Sequence, residues 1–294
     1  MHSYLRAIGY SKVQNRTDEE ALIREVVEQA TQFRLTTLSE KTAFVEKSKE
    51  SADFVGVTVR GELDVLAETG SEMFHAEHYF PYLQGSCVSL QNRIFISKKV
   101  DTEAYHGMCE DGRIGVSLIF YLQNAVDYLK RDEENAGTEQ LSVALAALSL
   151  GGHILLPATE QKTEMIQRSG SKRARLLEEA KKGNQEAIEN LAMEDLDLYA
   201  MIAERAKTED IFSIVDTTFV PYGTESDVYS VVARIEDYRY VTNRKTGEEL
   251  CLMQLSCNDL QFDLCINRED LLGEPDVGRR FRGTIWLQGR VNFV

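Results

Sequence analysis

Apolar and polar residues alternate through the last third of the chain, and this alternation predicts β-strands. Tyr229, Val231, Ala233 and Ile235 recur at every second position within 228–241. Similar patterns follow at 249–257, 260–266 and 280–293, with a short helical turn at 268–272 before the last strand. This order predicts a small antiparallel β-barrel over residues 209–294, for which the OB type is the first choice and an open meander the alternative.

The first half mixes helical and strand patterns. Thr17 and Glu20 form a capping-box pattern, which predicts a helix start. The apolar stripe that follows recurs at helical spacing and consists of Leu22, Ile23, Val26, Val27, Ala30 and Phe33. Strands are predicted at 54–63, 85–91, 93–98 and 113–121, and a helix near 124–131. We therefore predict an α+β domain over residues 1–157.

Segment 141–157 allows two interpretations. Ala144, Ala146 and Ala147 favour a helix, whereas Gly151-Gly152 between apolar runs favours a β-hairpin, and the hairpin is our prediction. Residues 140–159 contain no charged side chain, but glycine, serine and proline interrupt the stretch. It therefore does not predict a membrane-spanning helix.

Residues 158–208 show helical periodicity without strand-like alternation. Three successive helices are predicted here, the first beginning at Ser171 and ending at Gly183. This segment would be a helical connector between two β-containing domains, and the whole chain would belong to the α+β class.

Charge and cysteine content narrow the functional classes. The 294 residues include 33 Lys+Arg and 48 Asp+Glu, a formal net charge of −15. Such an acidic protein is a poor candidate for coating nucleic acid or anionic membranes. Five cysteines without CxxC spacing, and no apolar signal core near Met1, predict reduced thiols in the cytoplasm.

Histidine and cysteine provide few candidates for chemistry. His75 and His78 are three residues apart, and paired CxxC or HExxH spacing is absent, so no metal site and no cofactor are predicted. Cys109 follows His106 by three residues, the types found in a thiol–imidazole pair. Together with His153, these two define an enzyme as an alternative. No GxSxG or GxxxxGK[ST] motif is present, so we predict no catalytic residue and favour a protein that is not an enzyme.

A row of basic and aromatic residues on the last strand is the main candidate binding surface. Period-two alternation places its members opposite the apolar face, and two residues of an earlier strand extend it. The candidates are Arg280, Arg282, Trp286, Arg290, Arg234 and Tyr238. Guanidinium groups beside an indole could hold an anionic or aromatic ligand. The competing and preferred interpretation is that this face packs against the acidic first half and buries Trp286.

Three stretches carry a family resemblance: residues 2–10 (HSYLRAIGY), residues 209–223 with EDIFSIVD and PYG, and residues 265–281 (CINREDLLGEPDVGRRF). In these the chain resembles an uncharacterised, full-length domain of unknown function found mainly in clostridial Firmicutes. The resemblance implies a bacterial, cytoplasmic protein, and it implies no reaction, ligand or catalytic residue.

These observations favour a cytoplasmic, non-enzymatic binding or adaptor protein that recognises a protein or a small anionic ligand. The first alternative is an enzyme with a site near His106, Cys109 and His153. The second is weak binding of single-stranded nucleic acid by the C-terminal barrel, which the acidic charge disfavours.

Overall fold

The computed structural model describes residues 2–65, 72–100, 102–131, 140–155, 216–224 and 226–293. Most of these residues are in β-strands. In chain order the helices and strands are the 3-10 helix Ser3–Ile8, α1 (Arg16–Glu28), β1 (Gln32–Thr37), β2 (Thr42–Ala52), β3 (Val55–Val65), β4 (Glu72–Leu83), β5 (Leu90–Asn92), β6 (Phe95–Lys98), β7 (Tyr105–Asp111), β8 (Val116–Leu122), α2 (Ala125–Leu129), β9 (Leu141–Leu155), β10 (Thr218–Pro221), β11 (Val228–Thr242), β12 (Glu249–Cys257), β13 (Leu260–Asn267), the 3-10 helix Arg268–Asp270, β14 (Leu271–Leu272) and β15 (Arg280–Asn292).

The predicted α+β class is wrong. Within the described residues there are two α-helices, of 13 and five residues, and the rest of the regular structure is almost all strand. The helix expected to be capped by Thr17 begins two residues earlier, and its N-cap is Asn15, whose side chain accepts a hydrogen bond from the amide of Asp18. It ends at Glu28, so Phe33 lies in β1 instead of on the helical stripe.

The first sheet is an antiparallel meander in the order β1-β2-β3-β4. A bulge between Arg60 and Gly61 leaves Glu77 unpaired on β4. Gly61 is required here, because a Cβ at that position would lie 1.9 Å from the carbonyl oxygen of His75. The outer face of this sheet packs against α1: Lys49 Nζ of β2 lies 2.6 Å from Glu25 Oε1, and Val57 and Val59 of β3 share a buried core with α1.

The second sheet joins strands from both halves of the chain. Its order is β10-β11-β12-β13-β9-β15-β8-β7-β6. An additional pairing of β11 with β15 closes a ring of five strands, which are β11, β12, β13, β9 and β15. Within this ring β9 is parallel to its neighbour β13 and antiparallel to its other neighbour β15. The predicted small C-terminal barrel is therefore wrong, since the described strands from Thr218 onward share one sheet with strands from the first half of the chain. The sheet runs across the boundary expected between residues 1–157 and 209–294.

The hairpin predicted at 141–157 is also wrong, because β9 is a single strand of 15 residues. Within the glycine pair, Gly152 has a packing role instead of a turning one. A Cβ on Gly152 would lie 2.2 Å from Cε2 of Phe281, so the glycine leaves room for that ring.

The helical connector predicted at 158–208 lies outside the described residues. In the described part of the chain, no helix is long and apolar enough to cross a membrane.

Two groups of buried side chains hold the molecule together. One core packs against the ring and includes Phe281, Ile285 and Leu287, the apolar alternation of β15. The other joins the two sheets through the N-terminal residues, with Leu5 and Ile8 almost fully buried. Because both sheets contribute to this second core, their relative position is set by apolar burial, and a polar cleft remains beside it.

Candidate functional site

A row of charged side chains crosses the inner face of the first sheet. Strand register places Arg34 on β1 opposite Glu46 on β2, Glu46 opposite Arg60 on β3, and Arg60 opposite His78 on β4. Opposite charges on directly paired positions attract across a sheet. Arg34, Glu46 and Arg60 therefore alternate in sign by register although they are far apart in the sequence, and His78 ends the row as a neutral ring because burial lowers its pKa to about 4.

Arg60 anchors this row to the second sheet. Its side chain is fully buried, and its Nε donates to Glu46 Oε1 at 2.9 Å. The remaining donors reach Tyr121 Oη at 2.9 Å and the backbone carbonyl oxygens of Glu103, Leu122 and Gln123. Burial raises the pKa of Glu46, while the neighbouring Arg60 charge opposes that change. Arg60 is thus saturated and structural, and it is not open to a ligand.

A cleft lies beside this ion pair, between the two sheets. Its floor is the inner face of the first sheet and includes Arg34 and Thr58, and its opposite wall carries Gln123, Asn124 and Arg290. The cavity within the cleft has a volume of about 30 Å³ for a water-sized sphere. One buried water needs roughly 10–15 Å³ by this measure. The space therefore suits a chemical group about the size of two water molecules.

Two guanidinium groups reach this cleft from different sheets. Arg34 Nη1 donates to Asp127 Oδ2 on α2 at 2.8 Å, and Arg290 Nη2 lies 3.8 Å from the same oxygen. The side chain of Arg290 is about 36% exposed, and its guanidinium donates no hydrogen bond to any described residue. Burial and the charge of Arg34 lower the pKa of Arg290. One carboxylate is therefore shared by two cations, one of which lacks a hydrogen-bonded acceptor.

Other polar groups of the cleft wall are already satisfied. Asn124 donates to Asp127 and to the carbonyl of Val291, and Gln123 donates to Gln288 and to a backbone carbonyl. On the floor, the hydroxyls of Ser48 and Thr58 bond each other at 2.8 Å. The arrangement offers positive charge and fixed dipoles, but no activated nucleophile.

The predicted Arg/Trp row does not form one exposed surface. Trp286 is 5% exposed and Arg280 is 4% exposed, whereas Arg282 is exposed. Arg234 pairs with Asp216 at 2.9 Å, and the half-buried Tyr238 packs edge-on against Tyr240. Only Arg290 lies in the cleft. The row is divided because its strand crosses the molecule, and ten residues of β15 span about 33 Å.

Trp286 belongs to a buried polar and aromatic cluster. Its Nε1 donates to Asp227 Oδ2 at 2.8 Å, and His106 Nε2 lies 3.2 Å from the same oxygen. Burial alone would raise the pKa of Asp227, but the hydrogen bonds from His106 and Trp286 outweigh it and lower that pKa. The rings of His2 and Tyr121 pack against the indole at 4.8 and 5.1 Å. This cluster fills the space between the sheets and leaves the indole no open face for a ligand.

The residues of the enzyme alternative lie in different surroundings. His106 and Cys109 occupy opposite faces of β7, because positions three apart on a strand point to opposite sides. Cys109 is 2% exposed within the apolar core, and burial raises the pKa of its thiol to about 11. The other residue, His153, is exposed on β9.

Strand register also separates the two histidines. His153 is opposite Arg282 of β15, while His106 is opposite Tyr121, which neighbours Gln288 of β15. Positions 282 and 288 are six residues apart, or about 20 Å along a strand. Within the described residues, no group of three or more His, Cys, Asp or Glu side chains could hold a metal ion.

Sequence reasoning found Arg290 and missed Arg34 and Asp127. Arg34 was hidden because Phe33 extended the helical stripe of α1. The alternation of Phe33 and Leu35 with Arg34 and Thr36 is a period-two signal that could have identified β1. For Asp127 no pattern in the sequence indicates its two arginine partners.

Comparison with known proteins identifies the family of this chain and indicates no function. A family model described as "Domain of unknown function, E. rectale Gene description (DUF3881)" matches residues 5–289. This nearly full-length match confirms the resemblance to a family of unknown function. Searches of curated proteins and of solved structures gave no significant match.

Proposed function

We propose that this chain, which belongs to the DUF3881 family, is a non-enzymatic protein that binds a small anionic ligand in the cleft between its sheets. The observation that carries the proposal is Arg290, a half-buried guanidinium without a hydrogen-bonded acceptor among the described residues. Guanidinium groups have five N–H donors in a planar fork suited to carboxylate or phosphate.

The charge around the cleft supports an anion. The ionic groups that pair with one another there are Arg34, Arg60 and Arg290 against Glu46 and Asp127, which leaves one positive charge in excess within this network. Since Glu46 and Arg60 satisfy each other, the excess lies with Arg34 and Arg290. Charge confined to a partly buried cleft interacts more strongly than charge on an open surface.

Binding without catalysis is supported by the chemistry of the lining. Glu46 is engaged by Arg60 and by the amide of Ala125, so it is not available as a general base. The nearby hydroxyls of Ser48 and Thr58 bond each other and lack an adjacent base. The small cavity also suits one carboxylate or phosphate group, with the rest of the ligand outside. A cytoplasmic setting fits the five free thiols, four of which are buried.

The test is titration of the purified full chain with small anions at constant ionic strength. Calorimetry with inorganic phosphate, acetate and succinate should show saturable binding of at least one of them. Arg290→Gln should weaken that binding by at least about tenfold, since it removes a charge-assisted hydrogen-bond donor. The matched control is Arg282→Gln, which removes the same charge from an exposed position on the same strand.

Two results would overturn the proposal. One is the absence of binding by all three anions at millimolar concentration. The other is equal loss in both arginine variants, which would indicate general electrostatics instead of a specific cleft.

A further inference from the structure

The carboxylate of Asp127 already occupies the position that a ligand anion would take. Its Oδ2 accepts hydrogen bonds from Arg34 Nη1 at 2.8 Å and from Asn124 Nδ2 at 2.9 Å. The same oxygen is the nearest carboxylate to Arg290, at 3.8 Å. One oxygen thus faces three donor groups at the cleft, and two of them are cationic.

We infer that Asp127 is an internal substitute for the ligand, and that the ligand group bound in the cleft is a carboxylate that competes with it. This inference rests on the proposed function and specifies its ligand class. Arg34 and Asn124 already hold a carboxylate oxygen, Asp127 Oδ2, at hydrogen-bond distance, and the cavity of about 30 Å³ leaves room for one further group of that size.

Asp127 can leave its position without unfolding the helix that carries it. Its side chain is 34% exposed, whereas Ala125 and Val126 on the same helix are fully buried and anchor it. A change of side-chain rotamer would therefore turn the carboxylate into water. Because Asp127 loses both hydrogen bonds when it moves, it opposes the incoming anion, and the apparent affinity falls accordingly.

This competition predicts a variant that binds more tightly than the natural protein. Asp127→Asn removes the competing charge and keeps a similar side-chain volume. A partly exposed ion pair of this kind should affect binding modestly, so we expect succinate to bind about two- to fivefold more tightly. Inorganic phosphate, as a tetrahedral probe, should gain less.

The control is Glu50→Gln, which removes one negative charge from the inner face of β2. Glu50 forms no ion pair with Arg34 or Arg290, so it tests whether any lost negative charge strengthens anion binding. Succinate affinity should change by less than about twofold in this variant, since screened charges at a distance interact weakly. The melting temperature of each variant shows whether it is folded.

The outcomes separate the inference from the proposed function. Tighter succinate binding in Asp127→Asn than in the natural protein supports the inference. If the natural protein binds succinate and Asp127→Asn binds it equally or less tightly, the inference fails and the anion site stands, with Asp127 acting to position Arg34. An equal gain for phosphate overturns the carboxylate assignment. No binding by either protein overturns the proposed function as well.

Discussion

Arg60 offers the strongest test of how the two sheets are joined. Its guanidinium is fully buried and lies 4.6 Å from the ring centroid of Phe80. Replacing it by methionine keeps much of the apolar side-chain volume but removes the charge and all the donors. Five hydrogen bonds are lost, to Glu46 Oε1, Tyr121 Oη and the carbonyl oxygens of Glu103, Leu122 and Gln123.

The magnitude follows from the group left behind. Breaking a buried ion pair by removing one partner costs about 3–5 kcal/mol, because the other charge stays buried without compensation. Glu46 is 4% exposed and retains only the amide of Ala125 as a described donor. We expect Arg60→Met to lower the free energy of unfolding by about 4 kcal/mol. That is a large fraction of the roughly 5–15 kcal/mol that a natural protein has.

The sign of the pH dependence adds a second readout. The pKa of Glu46 is already raised above 4.5 by burial, and loss of Arg60 removes a charge that lowers it. A raised carboxyl pKa means that the folded state binds more protons than the unfolded state above pH 4.5, so stability falls as pH rises. The deficit of Arg60→Met should therefore be larger at pH 8 than at pH 5.

Urea denaturation at both pH values measures these effects. The matched control is Arg16→Met, which breaks a surface ion pair with Glu20 in which Arg16 is 89% exposed, and it should cost less than about 1 kcal/mol. If Arg60→Met does not fold, Arg60→Lys keeps the charge and should cost less than methionine. A loss from Arg60→Met no greater than the surface control, or a deficit that shrinks at pH 8, would refute the reasoning.

Two further predictions concern a histidine and a glycine. Burial lowers the pKa of His78 from 6.5 to about 4, so its neutral form stabilises the fold above pH 6.5 and this contribution is lost as pH falls toward 4. His78→Gln can still bond Tyr121 Oη, and it should flatten the decline of melting temperature between pH 6.5 and 4; an unchanged slope would contradict this. Gly107→Ala would place a Cβ 2.3 Å from Cζ of Phe120, and should cost about 1–3 kcal/mol in chemical denaturation. The control Gly151→Ala has no atom within 4 Å of its new Cβ, and equal stability of the two variants would count against the packing argument.

The candidate site was only partly predictable, because one of its residues follows a local strand pattern and the others depend on contacts between distant parts of the chain. Arg290 was identified through the alternation of β15, a local pattern. Its proposed role differs from the predicted one. Arg290 is the one residue of the predicted Arg/Trp row that lines the cleft, and Trp286 is buried in another part of the structure. Arg34 and Asp127 acquire their roles through contacts with distant parts of the chain, and no spacing in the sequence encodes those contacts.

The sequence by itself determined the local elements. Side chains at every second position must face one side of an extended strand, so β3, β11, β13 and β15 could be located from alternation alone. The same local reasoning placed α1 within two residues of its observed start. Alternation within 280–293 also predicted an apolar face on the last strand, and the structure buries Phe281, Ile285 and Leu287 there.

Only the tertiary structure decided which strands are neighbours. β9 carries apolar residues on both faces, and nothing local indicates that it pairs with β13 and β15 instead of folding back as a hairpin. Pairing of distant strands depends on which surfaces bury the most apolar area together, a property of the whole chain. The cleft is a consequence of that choice, since Arg34 and Arg290 come from opposite ends of the sequence and meet only because two sheets pack beside each other.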